Sequence, residues 1–496
     1  MAAKADTPVK KRLAEIVGAH AVSDEPHALK EYANCLGSVQ AGEPVAAVRP
    51  RNRGEVQAIV RLANELGINL IPASSGTPRF RGGTVPSAAG VIVDLSQMDK
   101  IMRIDRLNMV AIIEPGVTFA RFKAEAEKQQ LRVFMPLLPR ASKSALASYL
   151  EREPITIPKY HWDMSDPMLT AEIVFGQGEV FRTGSAAGPG SLKEQWKMGL
   201  AQKNPEGPAQ TSFNRVVQGA QGTLGIVTWA SVKLGMLPEI RHCYFIQENK
   251  LQPLVEFSYR VNRIKLADEF LILDRTALAS ALAESPGEIR ALAKKLATYT
   301  LIYCVCGYRH FPEKRVAYQE KGIAEIARDC GLRITSELPV AGADEVMEII
   351  DNPSGEPFWK LRLKGGVREI FFLTTLDKAS GFMRRMQELA RAHRFPIANA
   401  GLYIQPIQQG RNCHMEFHLY YGPGDEEETA TVEALFAEAS VKLADSGAFF
   451  SRPYGAWADI AYSRCPDTVL MLKKVKDMLD PNGVMNRGKL CFGEVL

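Results

Sequence analysis

Three ionisable side chains alternate within one short apolar segment near the C-terminal end of the sequence. Residues 412–421 read NCHMEFHLYY, and side chains two positions apart in a strand lie on the same face of a sheet. A strand here would therefore bring His414, Glu416 and His418 together. An imidazole tuned by a carboxylate can act as a base or a hydrogen-bond donor toward a substrate hydroxyl. Two alternatives stay open, a solvent-facing polar side of an antiparallel strand and a metal site of the form HxExH.

A glycine-rich stretch is the second candidate for chemistry. Residues 73–86 read ASSGTPRFRGGTVP and follow a strand-like run. Glycine lets main-chain N–H groups approach a ligand closely, and arginine adds positive charge, so we predict a loop that binds a phosphate-bearing cofactor. The stretch matches neither GxGxxG nor GxxxxGK[ST], so we expect neither a Rossmann loop nor a nucleoside triphosphate loop. An ordinary surface hairpin is the alternative.

Alternating strand and helix patterns position the glycine-rich stretch. Strands are predicted at VAAVRP, INLIPAS, GVIVDLS and MVAIIEPG, and helices at RGEVQAIVRLANELG and VTFARFKAEAEKQQL. Further on, MLTAEIVFGQGEVFRTG reads as a hairpin, and QGTLGIVTWASVKLGMLP reads as a long strand that ends before Pro238. These patterns predict a mixed α/β unit.

The pattern changes after residue 238. Strand-like HCYFIQ, FLIL, TLIYCVCGY and IFFLTTL alternate with helical LQPLVEFSYRVNRI, KRVAYQEKGIAEIARDCG and ASGFMRRMQELARAH. We predict a separate α+β domain with an antiparallel sheet covered by helices. The chain closes with a helix that Pro481 and Gly483 terminate.

Composition excludes several classes of protein. The 496 residues are 46% hydrophobic and 24% charged, and the net charge of +5 is too small and too dispersed to predict nucleic-acid binding. The eight cysteines form neither a CxxC pair nor a disulfide-type framework, so reduced thiols are expected. We find neither a secretory signal nor an apolar run long enough to span a bilayer. The expectation is a cytoplasmic protein without a membrane span.

Several stretches in the same order resemble the FAD-linked oxidases and dehydrogenases that include vanillyl-alcohol oxidase and p-cresol methylhydroxylase. They are PVAAVRPRNRGEVQAIVRLANELGINLIPASSGTPRFRGGTVP, GVIVDLSQMDKI, IIEPGVTF, TAEIVFGQGEVFRTG, QGAQGTLGIVTWASVKL and LDPNGVMNRGKLCF. The resemblance implies a two-part FAD-binding domain of mixed α/β type over residues 1–238. It also implies a substrate (cap) domain over residues 239–440 and a C-terminal segment, 441–496, that returns to the FAD domain.

The resemblance also implies which residues bind FAD. Those on the pyrophosphate loop are Ser75, Gly76, Thr77, Pro78, Arg79, Gly82 and Gly83. Those on the turn near the flavin are Pro115, Gly116 and Val117, and those on the segment that borders the cofactor are Gly222, Thr223, Gly225, Ile226 and Val227. Asn486 and Lys489 match the closing element of the family. Glycines in turns can also serve the protein's own geometry, and that alternative stays open for each of them.

One segment departs from the family. The family's second phosphate-proximal region is usually glycine-rich, whereas residues 140–167 here contain no glycine. The hydroxyls of Ser142, Ser144 and Ser148 are the donors that could replace backbone N–H groups. Weaker FAD binding is the alternative consequence.

The sequence predicts no bound metal. A subset of the family has the motif HxGDGNxH, but the corresponding IQQGRNCH lacks the first histidine and the aspartate. One imidazole with carbonyl oxygens does not make a competent divalent site. Nearby, AFFSRPYG resembles the element of the family that contacts a phenol, so Arg452 is expected to bind a substrate oxyanion, with a surface ion pair to Asp459 as the alternative.

The resemblance implies a FAD-dependent oxidoreductase that takes hydride from an alcohol or alkyl carbon of a small aryl or phenolic substrate. His414, Glu416, His418 and Arg452 are its candidate catalytic residues. The alternatives are a D-2-hydroxy-acid dehydrogenase, in which Arg452 would hold the carboxylate, and a non-catalytic flavoprotein subunit of a complex. The electron acceptor is open among O2, a cytochrome and another redox protein, and so is homo-oligomer formation.

Overall fold

The computed structural model describes residues 7–33, 42–76, 85–208 and 212–493. Its strands form three sheets, two before residue 238 and one after it. This arrangement confirms the predicted α+β architecture, a mixed α/β first part followed by an antiparallel sheet under helices. No helix in these described ranges is long and apolar enough to cross a bilayer.

The α-helices are distributed along the whole described chain. They are α1 Thr7–Val17, α2 Pro26–Ala33, α3 Arg53–Leu66, α4 Phe119–Glu127, α5 Ala145–Leu150, α6 Leu192–Lys197, α7 Phe213–Val217, α8 Leu251–Arg263, α9 Arg275–Leu282, α10 Pro286–Lys295, α11 Pro312–Asp329, α12 Ala343–Asp351, α13 Ala379–Ala392, α14 Glu426–Asp445, α15 Ala456–Tyr462 and α16 Pro466–Leu479.

The first sheet has the strand order β1-β2-β4-β3, with β1 Val22–Ser23, β2 Pro44–Val48, β3 Leu70–Ala73 and β4 Gly90–Asp94. Strands β2 and β3 both run parallel to β4, so α3 forms the crossover between them. The side chain of Asn52 caps α3 by accepting from the Glu55 amide, and Gly67 ends it with φ 66°. The glycine-rich stretch begins where β3 ends.

The second sheet is antiparallel and has the order β5-β6-β10-β8-β9, with β7 also pairing with β10. Its strands are β5 Ile101–Asp105, β6 Val110–Ile113, β7 Leu131–Val133, β8 Met168–Phe175, β9 Val180–Arg182 and β10 Gly225–Met236. The predicted hairpin is β8–β9. Helices α4 and α5 pack on the apolar side chains of this sheet.

The third sheet is antiparallel and has the order β14-β11-β13-β12-β16-β17-β15. Its strands are β11 Ile240–Glu248, β12 Phe270–Asp274, β13 Tyr299–Gly307, β14 Ile334–Thr335, β15 Gly366–Thr374, β16 Ala400–Ile407 and β17 Asn412–Tyr421. Helices α8, α11, α13 and α14 cover one face, whereas α9, α10, α12 and the turn around Trp359 cover the other. Since both faces are covered, polar side chains on β17 are removed from water.

The C-terminal tail returns to the first sheet. Asp480, directly after α16, accepts hydrogen bonds from the amides of Val484 and Met485. Met485 then pairs with Leu70 in a parallel bridge. The chain end is thereby attached beside β3, where the glycine-rich stretch starts.

Candidate functional site

Two neighbouring cavities lie where the three sheets approach one another. The first, which we call the apolar cleft, has a volume of about 110 Å³ and is lined by the end of β3, Pro115, α5, residues 217–227 and Tyr454. The second, the charged cavity, has about 100 Å³ and is lined by α5, residues 136–143, the turn around Trp359, β16, β17 and Arg452. Ala147 and Glu151 line both cavities. A ligand in one cavity therefore lies beside a ligand in the other.

The apolar cleft contains five of the residues predicted to bind the cofactor. Pro115, Gly222, Gly225, Ile226 and Val227 all line it. Its walls are mostly backbone and aliphatic side chains, which suit the faces of a planar ring system.

Three predicted glycines are required by the packing of the protein itself. A Cβ atom on Gly116 would lie 2.4 Å from the main-chain oxygen of Ser96, and one on Gly225 would lie 2.7 Å from that of Val174. Gly222 has φ 71°, and its Cβ would meet Cγ of Pro72 at 2.4 Å. The alternative that these glycines serve local geometry therefore applies to all three, although two of them also line the cleft.

Four further residues of the predicted cofactor set are buried but do not line the cleft. Val117 is fully buried, and its oxygen accepts from the Ala145 amide. The Thr223 hydroxyl donates to the Ala220 oxygen at 2.7 Å. Asn486 and Lys489 are buried in the tail beside β3. Thr77, Pro78, Arg79, Gly82 and Gly83 lie outside the described residues.

The start of the glycine-rich stretch is held by the glycine-poor segment. The Ser75 hydroxyl accepts from the Ser144 amide at 3.0 Å, and the Gly76 oxygen accepts from Arg140 Nη1 at 3.2 Å. The Ser144 hydroxyl donates to the Pro115 oxygen at 2.5 Å and accepts from the Ala147 amide. The segment thus ties the stretch to the Pro115 turn.

Of the three serines predicted as donors, two are used within the protein. Ser144 caps α5, and the buried Ser148 hydroxyl donates to Glu153 at 2.5 Å. The Ser142 hydroxyl is buried without a hydrogen-bond partner among the described residues and would lie 4.0 Å from a Cβ on Gly76. An apolar cleft that adjoins a loop start with an available hydroxyl fits a flavin with a phosphate chain.

The charged cavity combines ionic and aromatic walls. Its cations are Arg140, Lys143, Lys360 and Arg452, and its acids are Glu151, Glu153, Glu369 and Glu416. Phe358, Trp359 and Tyr403 supply aromatic surface, and His414 the imidazole. Among the described residues that line it, the formal charges balance.

His414, Glu416 and His418 form one hydrogen-bonded chain on β17. Nε2 of His414 lies 2.8 Å from Oε2 of Glu416, and Nε2 of His418 lies 2.7 Å from Oε1. All three side chains are at most 3% exposed, so the solvent-facing alternative is wrong. His414 and Glu416 line the charged cavity, whereas His418 lies behind them, 5.4 Å from the Trp359 ring.

A lysine that the sequence analysis did not identify completes this chain. Lys360 Nζ contacts Glu416 and lies 2.5 Å from Glu369. Burial would lower the pKa of Lys360, but the charges of both carboxylates raise it above its usual range. Burial would raise the pKa of Glu416, but Lys360 and hydrogen bonds from both histidines hold it well below its usual range. Burial and the charge of Lys360 lower the pKa of His418.

The same lysine bears on the metal alternative. Donor atoms of Glu369, Glu416 and His418 lie within 4.8 Å of one another, close enough for a shared cation. The Lys360 ammonium contacts both carboxylates of this group, so it supplies the positive charge that a metal ion would otherwise bring.

Arg452 lies at the wall of the charged cavity and is 3% exposed. Its Nη2 is 3.4 Å from Nδ1 of His414, and its guanidinium carbon lies 4.3 Å from the centre of the Phe371 ring. The surface alternative for this arginine is therefore wrong. The residues on either side of Arg452 are held by hydrogen bonds. Arg152 donates to the Ser451 oxygen, and Gln221, which lines the apolar cleft, donates to the Pro453 oxygen.

Glu151 is another residue of these cavities that the sequence analysis missed. It ends α5 at the boundary of the two cavities, and Lys143 Nζ lies 3.0 Å from its carboxylate. The signal available in the sequence was the acid pair in LEREP, within the glycine-poor segment.

The chain was compared with known families and structures. Residues 44–184 match the FAD binding domain, and residues 372–490 match the C-terminal domain of FAD linked oxidases, together about half of the chain. Glycolate oxidase subunit GlcD of Bacillus subtilis is 27% identical over 235 residues, which are 47% of this chain and 46% of that protein. The 4-cresol dehydrogenase [hydroxylating] flavoprotein subunit of Pseudomonas putida is 33% identical over 154 residues, 30% of this chain and 29% of that protein.

The alignments thus span less than half of the length of these two relatives. Among solved structures, p-cresol methylhydroxylase with substrate bound superposes with a TM-score of 0.84 at 18% identity and covers 98% of this chain and 96% of its own. This likeness establishes the fold of the described residues.

Proposed function

The chain belongs to the FAD-linked oxidases, with FAD as the cofactor, and on this premise we propose that it is a FAD-dependent oxidoreductase. It removes hydride from an alcohol or alkyl carbon of a small aromatic substrate with an anionic oxygen. The similarity of part of the chain to 4-cresol dehydrogenase supports this substrate class.

One observation carries the proposal: Ala147 and Glu151 belong to both cavities. FAD, when bound, supplies the hydride acceptor. The apolar cleft suits its ring system, and a substrate in the charged cavity would lie next to it.

The described residues divide the work within the charged cavity. Arg452 binds the anionic oxygen, because a buried guanidinium forms strong charge-assisted hydrogen bonds. Phe358 and Trp359 pack against the ring. When the carbon that loses hydride bears a hydroxyl, Glu151, between the cavities, accepts the proton of that hydroxyl. His414, Glu416 and His418 support the wall that contains Arg452.

A second candidate is the oxidation of a 2-hydroxy acid. Arg140 and Arg452 line the same cavity and are 5% and 3% exposed, which is an arrangement that could hold a carboxylate. The partial similarity to glycolate oxidase subunit GlcD supports this candidate. A non-catalytic flavoprotein subunit is the third.

A turnover screen separates these candidates. The FAD-loaded protein is mixed with alkylphenols, aryl alcohols or D-2-hydroxy acids without oxygen, and flavin bleaching is followed. Turnover is then measured as the reduction of a dye acceptor. We expect bleaching by an alkylphenol or aryl alcohol. Bleaching by hydroxy acids alone would establish the second candidate, and bleaching by none of the three classes would favour the third. Repeating the assay with O2 or cytochrome c in place of the dye tests the acceptor.

We further propose a cytoplasmic location. The seven cysteines among the described residues are all free thiols, which supports a reducing compartment. Fractionation of the native host would test it.

A further inference from the structure

We propose that Lys360, Glu416 and His414 form a positioning relay for Arg452, in which each side chain orients the next. The relay ends at the guanidinium that binds the substrate oxygen, so this inference rests on the proposed function for its consequence in catalysis. Its geometry, however, can be tested without a substrate.

The hydrogen bonds of His414 determine its tautomer. Nε2 faces Oε2 of Glu416 at 2.8 Å, and an ionised carboxylate only accepts, so this nitrogen carries the proton. Nδ1 faces Nη2 of Arg452 at 3.4 Å, and a guanidinium only donates, so Nδ1 presents its lone pair. The imidazole is therefore neutral, and its lone pair is directed at the arginine.

His418 has the same tautomer for the same reason. Its Nε2 faces Oε1 of Glu416 at 2.7 Å, and its Nδ1 lies 3.1 Å from the Tyr420 hydroxyl, which donates to it. Glu416 thus accepts from two imidazoles and from Lys360. Three donors on one fully buried carboxylate leave it little freedom to rotate.

Lys360 keeps Glu416 in the ionised form on which both tautomers depend. The two side chains are 8% and 4% exposed, so loss of the ammonium would leave a buried carboxylate with only neutral donors. A protonated Glu416 would donate to one imidazole and invert its tautomer. If that imidazole is His414, its Nδ1 would carry a proton against the guanidinium, and Arg452 would have to move.

The relay assigns His414 a role different from that of a base. Its Nε2 already carries a proton, and its Nδ1 is directed at Arg452. The guanidinium is held from a second direction by the Phe371 ring. Two contacts from different directions fix the plane of the guanidinium, which is what directed binding of an oxyanion needs.

Selective ¹⁵N labelling of the eight histidines tests the relay directly. Ring nitrogen shifts, assigned with His414→Gln and His418→Gln, should identify both imidazoles as neutral Nε2–H tautomers at pH 7. In Lys360→Met, the signal of at least one of these two imidazoles should change tautomer, whereas Lys360→Arg should keep both wild-type signals. A cationic His414, or an Nδ1–H tautomer in the wild type, would overturn the relay.

A double-mutant cycle with a binding probe tests the link to Arg452. The affinities for 4-nitrophenol and for benzoate are measured by titration of the holoenzyme. Glu416→Gln should weaken binding of at least one probe about tenfold, but should have little further effect in the Arg452→Ala background. Equal effects in both backgrounds would contradict the relay. Lys159→Met, which breaks the buried pair with Asp268 outside both cavities, controls for general loss of stability.

The two proposals fail differently. If neither probe binds the wild type, the anionic substrate is wrong, while the histidine spectra still decide the relay. If Glu416→Gln does not fold, the comparison of Lys360→Met with Lys360→Arg takes its place. Activity lost on chelation and restored by a divalent metal would mean that Glu369, Glu416 and His418 bind a metal ion, and that Lys360 does not supply the positive charge there.

Discussion

Asn486 in the C-terminal tail donates a hydrogen bond from Nδ2 to the main-chain oxygen of Gln221, at 2.6 Å. Gln221 immediately precedes Gly222, which lines the apolar cleft. The main-chain amide of Asn486 also donates to the main-chain oxygen of Leu70 on β3. One fully buried residue of the tail therefore connects two of the segments that surround the proposed flavin site.

Asn486→Ala should weaken FAD binding about tenfold, because the loss of a buried hydrogen bond of roughly 1–1.5 kcal/mol frees the loop at Gln221. The dissociation constant can be measured by titrating the apoprotein with FAD and following flavin fluorescence. Affinity equal to that of the wild type would mean that this loop does not contribute to the cofactor site.

Gly222→Ala should destabilise the protein even without FAD. The left-handed conformation, φ 71°, costs an alanine roughly 1–2 kcal/mol, and the approach to Pro72 adds to it. Gly199→Ala is the matched control, because Gly199 has φ 79° but nothing within 4 Å of its Cβ position. Thermal unfolding of both apoproteins should give a lower Tm for Gly222→Ala. Equal Tm values for the two variants would mean that the left-handed backbone conformation alone causes the destabilisation, without a contribution from the contact with Pro72.

Arg452→Ala should lower kcat/KM roughly a hundredfold while FAD stays bound, because a buried charge-assisted hydrogen bond contributes on the order of a few kcal/mol. Arg452→Lys should recover little, since a point charge does not reproduce the guanidinium fork. Steady-state kinetics and flavin content are the measurements. Arg215→Ala, at an arginine whose side chain is 65% exposed, is the control. Turnover near normal in Arg452→Ala would remove the support for an anionic substrate.

With an alcohol substrate, Glu151→Gln should lower kcat by about a hundredfold or more and change KM little, because the amide keeps the size of the side chain but accepts no proton. Rapid mixing with substrate, followed by flavin absorbance, isolates the chemical step. An unchanged rate of flavin bleaching would exclude Glu151 as the proton acceptor and would favour a residue of β17 in that role.

His161 should make the protein less stable in mild acid. It is 1% exposed, its Nδ1 accepts from the Gln408 amide at 3.0 Å, and burial lowers its pKa from 6.5 to about 4. Since the unfolded chain takes up the proton first, stability should be complete above pH 6.5 and should fall toward pH 4, by on the order of a few kcal/mol. Urea unfolding across this range should show a shallower slope for His161→Gln. An identical slope would place the titration elsewhere.

The sequence was sufficient to predict which side chains of β17 share a face, but not which residues contact them. Alternation along β17 predicted that His414, Glu416 and His418 share a face, because side-chain direction in a strand is a local property. Lys360 and the turn that buries this face come from another part of the chain, and only the pairing of β17 with β15 and β16 brings them there. Such long-range contacts leave no periodic signal in a single sequence.

The glycines illustrate a different limit. Gly222 and Gly225 line the apolar cleft, yet these two glycines and Gly116 are also required by neighbouring backbone and side chains. Packing within the protein and binding of a ligand would each place glycine at the same positions of the sequence. Glu151 was missed because a carboxylate at the end of a short helix has no distinctive pattern, and its place between the cavities exists only in three dimensions.

The single helical turn from Ala147 to Glu151 separates the two cavities, whereas the opposite walls of the charged cavity come from the third sheet. Substitutions at Phe358, Tyr403 or the strands around them can change the shape of the charged cavity without disturbing the proposed flavin site. Changes in α5 alter both at once. During evolution, new substrate preferences in this architecture should therefore arise mainly from the third sheet, while α5 changes slowly.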